Sequence, residues 1–96
     1  MDSPNLREEL LAYDEFLRMA RLDSRADFQQ ALITAKNLLM SEELLAATFY
    51  TSVEKISRWI HGEATLLHKE RKRIIFNRLR TLCGVQLKLL DAKESK

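Results

Sequence analysis

The sequence predicts an all-α domain, and three observations lead there. Glycine and proline are nearly absent, with only Gly62, Gly84 and Pro4 in 96 residues, whereas strands joined by tight turns need more of both. Apolar residues recur at helical intervals: Leu6, Leu10, Tyr13, Leu17 and Ala20 are spaced 4, 3, 4 and 3. Short polar residues that cap helices also stand ahead of several such stripes. The length suits one core, and 46% hydrophobic with 31% charged residues lies away from the composition of disordered chains. A single domain over 1–96 is therefore expected, with an N-terminal helix (3–22), a core (25–83) and a C-terminal tail (84–96).

Each element follows from local signals. Ser3 before Pro4 is an N-cap followed by a first-turn proline, which opens the first helix. The segment from Asp23 to Asp27 interrupts it. Ser24 and Asp27 have capping-box spacing, so a second helix starts near Arg25 and buries Phe28, Leu32, Ala35 and Leu39. Ser41 caps a short third helix, Glu42 to Thr48, whose glutamates occupy the first turn, where the helix dipole favours negative charge. Phe49, Tyr50 and Thr51 form a break. Thr51 or Ser52 opens a fourth helix that ends near His61, with Thr51 and Glu54 at capping-box spacing and Gly62 placed for a left-handed helix end.

A fifth helix from about Leu66 to Cys83 buries Ile75, Leu79 and Leu82, and turns Lys69, Arg71, Lys72, Arg73, Arg78 and Arg80 largely outward. Gly84 is expected to end it. Beyond it, Val85, Leu87 and Leu89 alternate like a strand, while Gln86 to Leu90 also suits a helix. The tail is read as a last helical or extended segment.

Charge divides the chain. Residues 1–35 hold seven acids against four arginines, a net of −3, while residues 36–96 hold twelve Lys and Arg against seven acids, a net of +5. A basic second part suits an anionic partner; a solvated charged surface is the plainer alternative. No apolar run of about 18 residues is present, and Met1 to Pro4 lacks the blocks of a signal peptide, so a cytoplasmic protein is expected. One cysteine, Cys83, excludes an internal disulfide and reads as a small core residue. His61 and His68 are seven apart without a third ligand of matched spacing, so no metal is expected. No nucleophile triad, paired carboxylates or glycine-rich phosphate loop stands out, which argues against an enzyme and a cofactor.

The stretch from Met40 to Gly62 carries the functional signal. Two short helices flank a break of three or four residues, each with one apolar face. In that arrangement the first helix braces the second and leaves its exposed side free for the roughly 12 Å major groove. Trp59, three residues from Ile56 and six from Val53, belongs to the buried face.

This stretch resembles the Cro and phage-repressor-like (Xre-like) helix-turn-helix family. Ser41-Glu42-Glu43, Leu45-Ala46, Ser52 and Ile56-Ser57-Arg58-Trp59 to Gly62 fall in the family's register without a gap. The resemblance implies a five-helix-type lambda-repressor-like domain with an additional N-terminal helix. It also implies a small transcriptional regulator binding double-stranded DNA sequence-specifically through a recognition helix at about 52–61. Val53, Glu54 and Arg58 would face base edges, with Arg58 suited to guanine and Glu54 to a cytosine amino group. Ser41, Ser52, Lys55 and Ser57 would position the phosphate backbone. Glu54 alternatively caps the helix through Thr51, and Val53 alternatively is half-buried.

Four positions depart from the family pattern. Tyr50 stands at the usual glycine of the turn, Glu42 replaces a glutamine that braces the recognition helix, and Ala35 with Ile60 replaces an arginine–glutamate pair. A homodimer is expected, joined through the N-terminal helix or through Val85 to Leu90. The second reading is a protein-interaction module that keeps the scaffold and has lost DNA binding, as the acidic Glu42 and Glu54 allow.

Overall fold

A computed structural model describes residues 5–63 and 68–94. It contains five helices: α1 (Leu6–Met19), α2 (Arg25–Leu38), α3 (Glu42–Thr48), α4 (Val53–Ile60) and α5 (Lys69–Glu94). The protein is all-α, with no strand among the described residues.

Four helices begin on a side-chain cap, which satisfies amide groups that have no partner in the first turn. Asn5 caps α1 by accepting from the Arg7 amide. The expected start at Ser3 and Pro4 lies outside the described residues, and the helix begins at Leu6 instead. Ser24 accepts from the Asp27 amide as the spacing requires, but the Asp27 carboxylate turns back to the Arg21 amide at 2.9 Å. The capping box of α2 is thus half made. Ser41 caps α3 through the Leu44 amide, and Ser52 caps α4 through the Lys55 amide. Thr51 and Glu54 do not form the expected box, because Ser52 already occupies the cap position.

The core gathers one face from every helix. Leu10, Tyr13 and Leu17 come from α1, Phe28, Ala31, Leu32 and Ala35 from α2, Leu45 and Ala46 from α3, Ile56, Trp59 and Ile60 from α4, and Ile75, Phe76, Leu79 and Cys83 from α5. Phe28 stands at the centre of this packing. Its ring lies 5.8 Å from Trp59 and 6.2 Å from Phe76, edge-on to the latter, and the Lys72 ammonium sits 5.6 Å from its centre. Such tilted contacts set the negative ring face against positive edges or a cation. Leu39 and Leu82, expected inside, are half-buried, and Leu6 is exposed; Phe76 is a core residue that the α5 stripe did not include.

The fifth helix corrects the expected end at Gly84. It runs through that glycine to Glu94, so the tail is neither strand nor separate segment. Gly inside a helix costs roughly 0.5–1 kcal/mol relative to Ala. Here Cys83 is buried, and Leu87 and Leu90 pack against the core, which offsets that cost. As positions along α1 rise, their α5 partners fall. Arg7 pairs with Asp91, the Cys83 thiol donates to the Leu10 carbonyl at 3.1 Å, and Asp14 lies 3.9 Å from Arg80. The two helices are therefore antiparallel, and α1 is fastened to α5.

Two acidic protons are trapped in this scaffold. Burial first, and the neighbouring Cys83 second, hold the Tyr13 phenol protonated far above its ordinary range, and its hydroxyl donates to the Ala31 carbonyl at 2.7 Å. Burial, then the Asp14 carboxylate, likewise pushes the Cys83 thiol up. No helix among the described residues is long and apolar enough to cross a membrane.

Candidate nucleic-acid interface

The α4 sequence Val53-Glu54-Lys55-Ile56-Ser57-Arg58-Trp59-Ile60 separates into two faces. Ile56, Trp59 and Ile60 are buried, while Glu54, Arg58 and His61, at i, i+4 and i+7, form an outward stripe. Lys55 and Val53 flank that stripe, and both are exposed. Ser57 lies at the margin and is half-buried. The tryptophan is therefore a core residue.

Both ends of α4 are held. At its start, the Ser52 hydroxyl is engaged by the Lys55 amide at 3.1 Å. At its end, Gly62 takes a left-handed φ of 87°, and the Gly62 and Glu63 amides donate to the Trp59 and Arg58 carbonyls at 3.1 and 2.8 Å. These are the paired bonds of a Schellman cap. Gln29 of α2 adds a donor to the Ile60 carbonyl at 2.8 Å.

The turn before α4 repeats this construction with another residue. Tyr50 has φ 55°, and the Tyr50 and Thr51 amides donate to Ala47 and Ala46 at 3.3 and 2.9 Å. Arg71 of α5 donates to the Phe49 carbonyl at 2.9 Å, as Gln29 does for α4. A left-handed non-glycine residue costs about 1–2 kcal/mol, so the tyrosine is held there by the surrounding structure. Phe49, read as part of the break, is a core residue.

The remaining site residues lie on α3 and its cap. Ser41 is exposed and accepts from the Leu44 amide at 3.3 Å. Glu42 is half-buried and paired with the Lys36 ammonium at 2.7 Å. That pairing partly neutralises the carboxylate in the first turn of α3. Ala35 and Ile60 are both buried in the apolar core.

The basic run of α5 divides into separate duties. Arg73 pairs with Glu70 at 2.9 Å, Arg80 approaches Asp14, Lys72 lies over Phe28 and Arg71 holds the α3 end. Lys69 and Arg78 are exposed. Among the described residues, no carboxylate comes within 4.0 Å of the cationic groups of Lys55, Arg58, Arg71 or Arg78. Exposed cations without acidic partners are the ones that remain available to an anion.

The resemblance turned Val53, Glu54 and Arg58 outward with Lys55 beside them, and all four are exposed. The helical spacing that set Val53 on the buried face with Ile56 and Trp59 is corrected, because Val53 opens α4 at its first turn and is 41% exposed. Sequence reasoning missed Gln29 and Arg71, whose contacts span 31 and 22 residues; no local spacing signals a bond between distant helices. It also left Lys36 unlinked to Glu42. No family model matches the chain, and no curated protein or solved structure is significantly similar to it.

Proposed function

We propose that this protein binds double-stranded DNA through α4 and acts as a small sequence-specific transcriptional regulator of the Cro and phage-repressor-like kind. One observation carries the reading. A short helix, capped at both ends and buried along Ile56, Trp59 and Ile60, presents Lys55 and Arg58 outward with no acidic partner among the described residues. A rigid helix with its polar side free is what major-groove readout requires.

In this reading Arg58 contacts a base, and Val53 and Glu54 adjoin it. Ser41, Ser52, Lys55 and Ser57 lie along the phosphates. The two serine caps present helix starts, whose amides and dipole favour phosphate oxygen. Because one recognition helix reads only a few base pairs, the protein acts as a homodimer on two half-sites about one helical turn apart.

Fluorescence anisotropy with a random duplex pool at several salt concentrations tests this. Binding is expected to fall steeply with salt, with a slope near −0.9 per phosphate contacted. Arg58→Ala is expected to cost about 1–3 kcal/mol on a selected site and relax preference at one base pair. Lys55→Ala should weaken all sequences alike. No binding at about 50 mM salt would overturn the proposal.

A further inference from the structure

Beside the α3 end, and independent of DNA binding, lies a concavity of about 110 Å³ lined by Thr48, Phe49, Tyr50, Arg71, Ile74 and Arg78. Its rim is unusual in composition. Tyr50 is 91% exposed and Ile74 61% exposed, and Arg71 and Arg78 stand beside them without a carboxylate among the described residues. Leu44, 57% exposed, lies one turn before Thr48 on the same side of α3.

We propose that this concavity docks a protein segment that inserts one apolar side chain between the arginines and meets them with flanking carboxylates. Three properties of the surface select that occupant. Small-molecule sites usually enclose about 300 Å³ or more, so this one admits a single side chain rather than a whole ligand. Exposed Tyr and Arg around an apolar centre are the composition that dominates protein–protein binding energy, whereas a phosphate track is lined by polar donors. Two cations with no local acid supply the charge complement for carboxylates on the partner.

The backbone gives an independent reason. Tyr50 keeps a left-handed conformation that glycine would adopt without strain. Strained residues persist where the conformation is used, and here it sets an aromatic ring in solvent at the mouth of the concavity. Arg71 is already oriented by its bond to the Phe49 carbonyl, so its remaining donors are presented at low entropic cost.

The test is a ¹⁵N–¹H titration of the full chain with a blocked peptide in which one leucine is flanked on both sides by glutamates. Shifts confined to residues 48–50 and 71–78 are expected. The affinity should drop about tenfold in Arg78→Glu, from charge reversal, and about tenfold in Tyr50→Gly, from loss of the ring. Tyr50→Gly relieves backbone strain, so its loss of binding would not come from unfolding. Equal shifts from a lysine-flanked peptide would overturn the proposal. So would absence of shifts with the acidic peptide, or shifts at these residues produced instead by inorganic phosphate or a DNA duplex.

Discussion

The ends of α3 and α4 are the same structure built on different residues. Each closes with a Schellman pair of amide bonds, and each receives a donor from another helix, Arg71 in one case and Gln29 in the other. The left-handed residue is Tyr50 in the first and Gly62 in the second. At Gly62 the choice follows from stability, because a Cβ there would strain the left-handed backbone. At Tyr50 stability argues the other way. One left-handed position thus costs no backbone strain, while the other carries a strain that its 91% exposed ring does not repay by packing in the fold.

The largest effect is expected on removing the support that both ends share. Phe28 touches Trp59 of α4 and Phe76 of α5, so Phe28→Ala is expected to cost about 3–5 kcal/mol in urea unfolding. Both ends should lose amide protection together. If only one does, the ends are not held by a common core.

Alkaline pH loosens the scaffold without separating the two ends. Tyr13 and Cys83 have pKa values raised above their ordinary 10.0 and 9.0, so the unfolded chain gives up these protons first. Stability is full below about pH 9 and falls as pH rises, by about 1.4 kcal/mol per pH unit for each group ionised only when unfolded. Urea midpoints measured from pH 8 to 11 should decline, and the slope should shrink in Tyr13→Phe. An unchanged slope in that variant would remove Tyr13 as a source.

Gly62→Ala tests the contrast directly, with an expected loss of about 1–2 kcal/mol. Tyr50→Gly should go the other way. Relief of the left-handed strain exceeds the added entropy of the unfolded chain, for a net gain of about 0.5–1 kcal/mol. Two losses of the same sign would mean that the Tyr50 ring contributes to folding after all. The smallest effect is expected at Gly84, which sits inside α5 with no atom of another element within 4 Å of where a Cβ would stand. Gly84→Ala should stabilise by about 0.5 kcal/mol, since that glycine's conformational freedom is not used.

What was legible in the sequence follows the range of the interactions. The caps Ser24, Ser41 and Ser52, the bounds of α3, the left-handed Gly62 and the burial of Trp59 all depend on residues within a turn or two of each other. The continuation of α5 past Gly84 was not legible, because the glycine's local preference is overridden by packing against α1, far away in the chain. The buried face of α4, Ile56, Trp59 and Ile60, could be read from spacing, but the same spacing set the exposed Val53 among them. The bonds from Gln29 and Arg71 that hold that helix and its turn could not, since nothing local to either residue names its partner. Tyr50 was visible as part of the break before α4; only the backbone angle shows that it takes a left-handed conformation.

The pairing of α1 with the far half of α5 also sets an order of events during synthesis. Leu10 and Cys83 are 73 residues apart, so α1 leaves the ribosome long before its main partner exists. Its apolar stripe of Leu10, Tyr13 and Leu17 first meets α2, where the Tyr13 hydroxyl reaches the Ala31 carbonyl, and gains its α5 contacts only later. Closing so wide a loop is slow compared with forming the local helices. The α1 stripe is therefore covered in two stages, first by α2 and then by α5 once Cys83 has emerged.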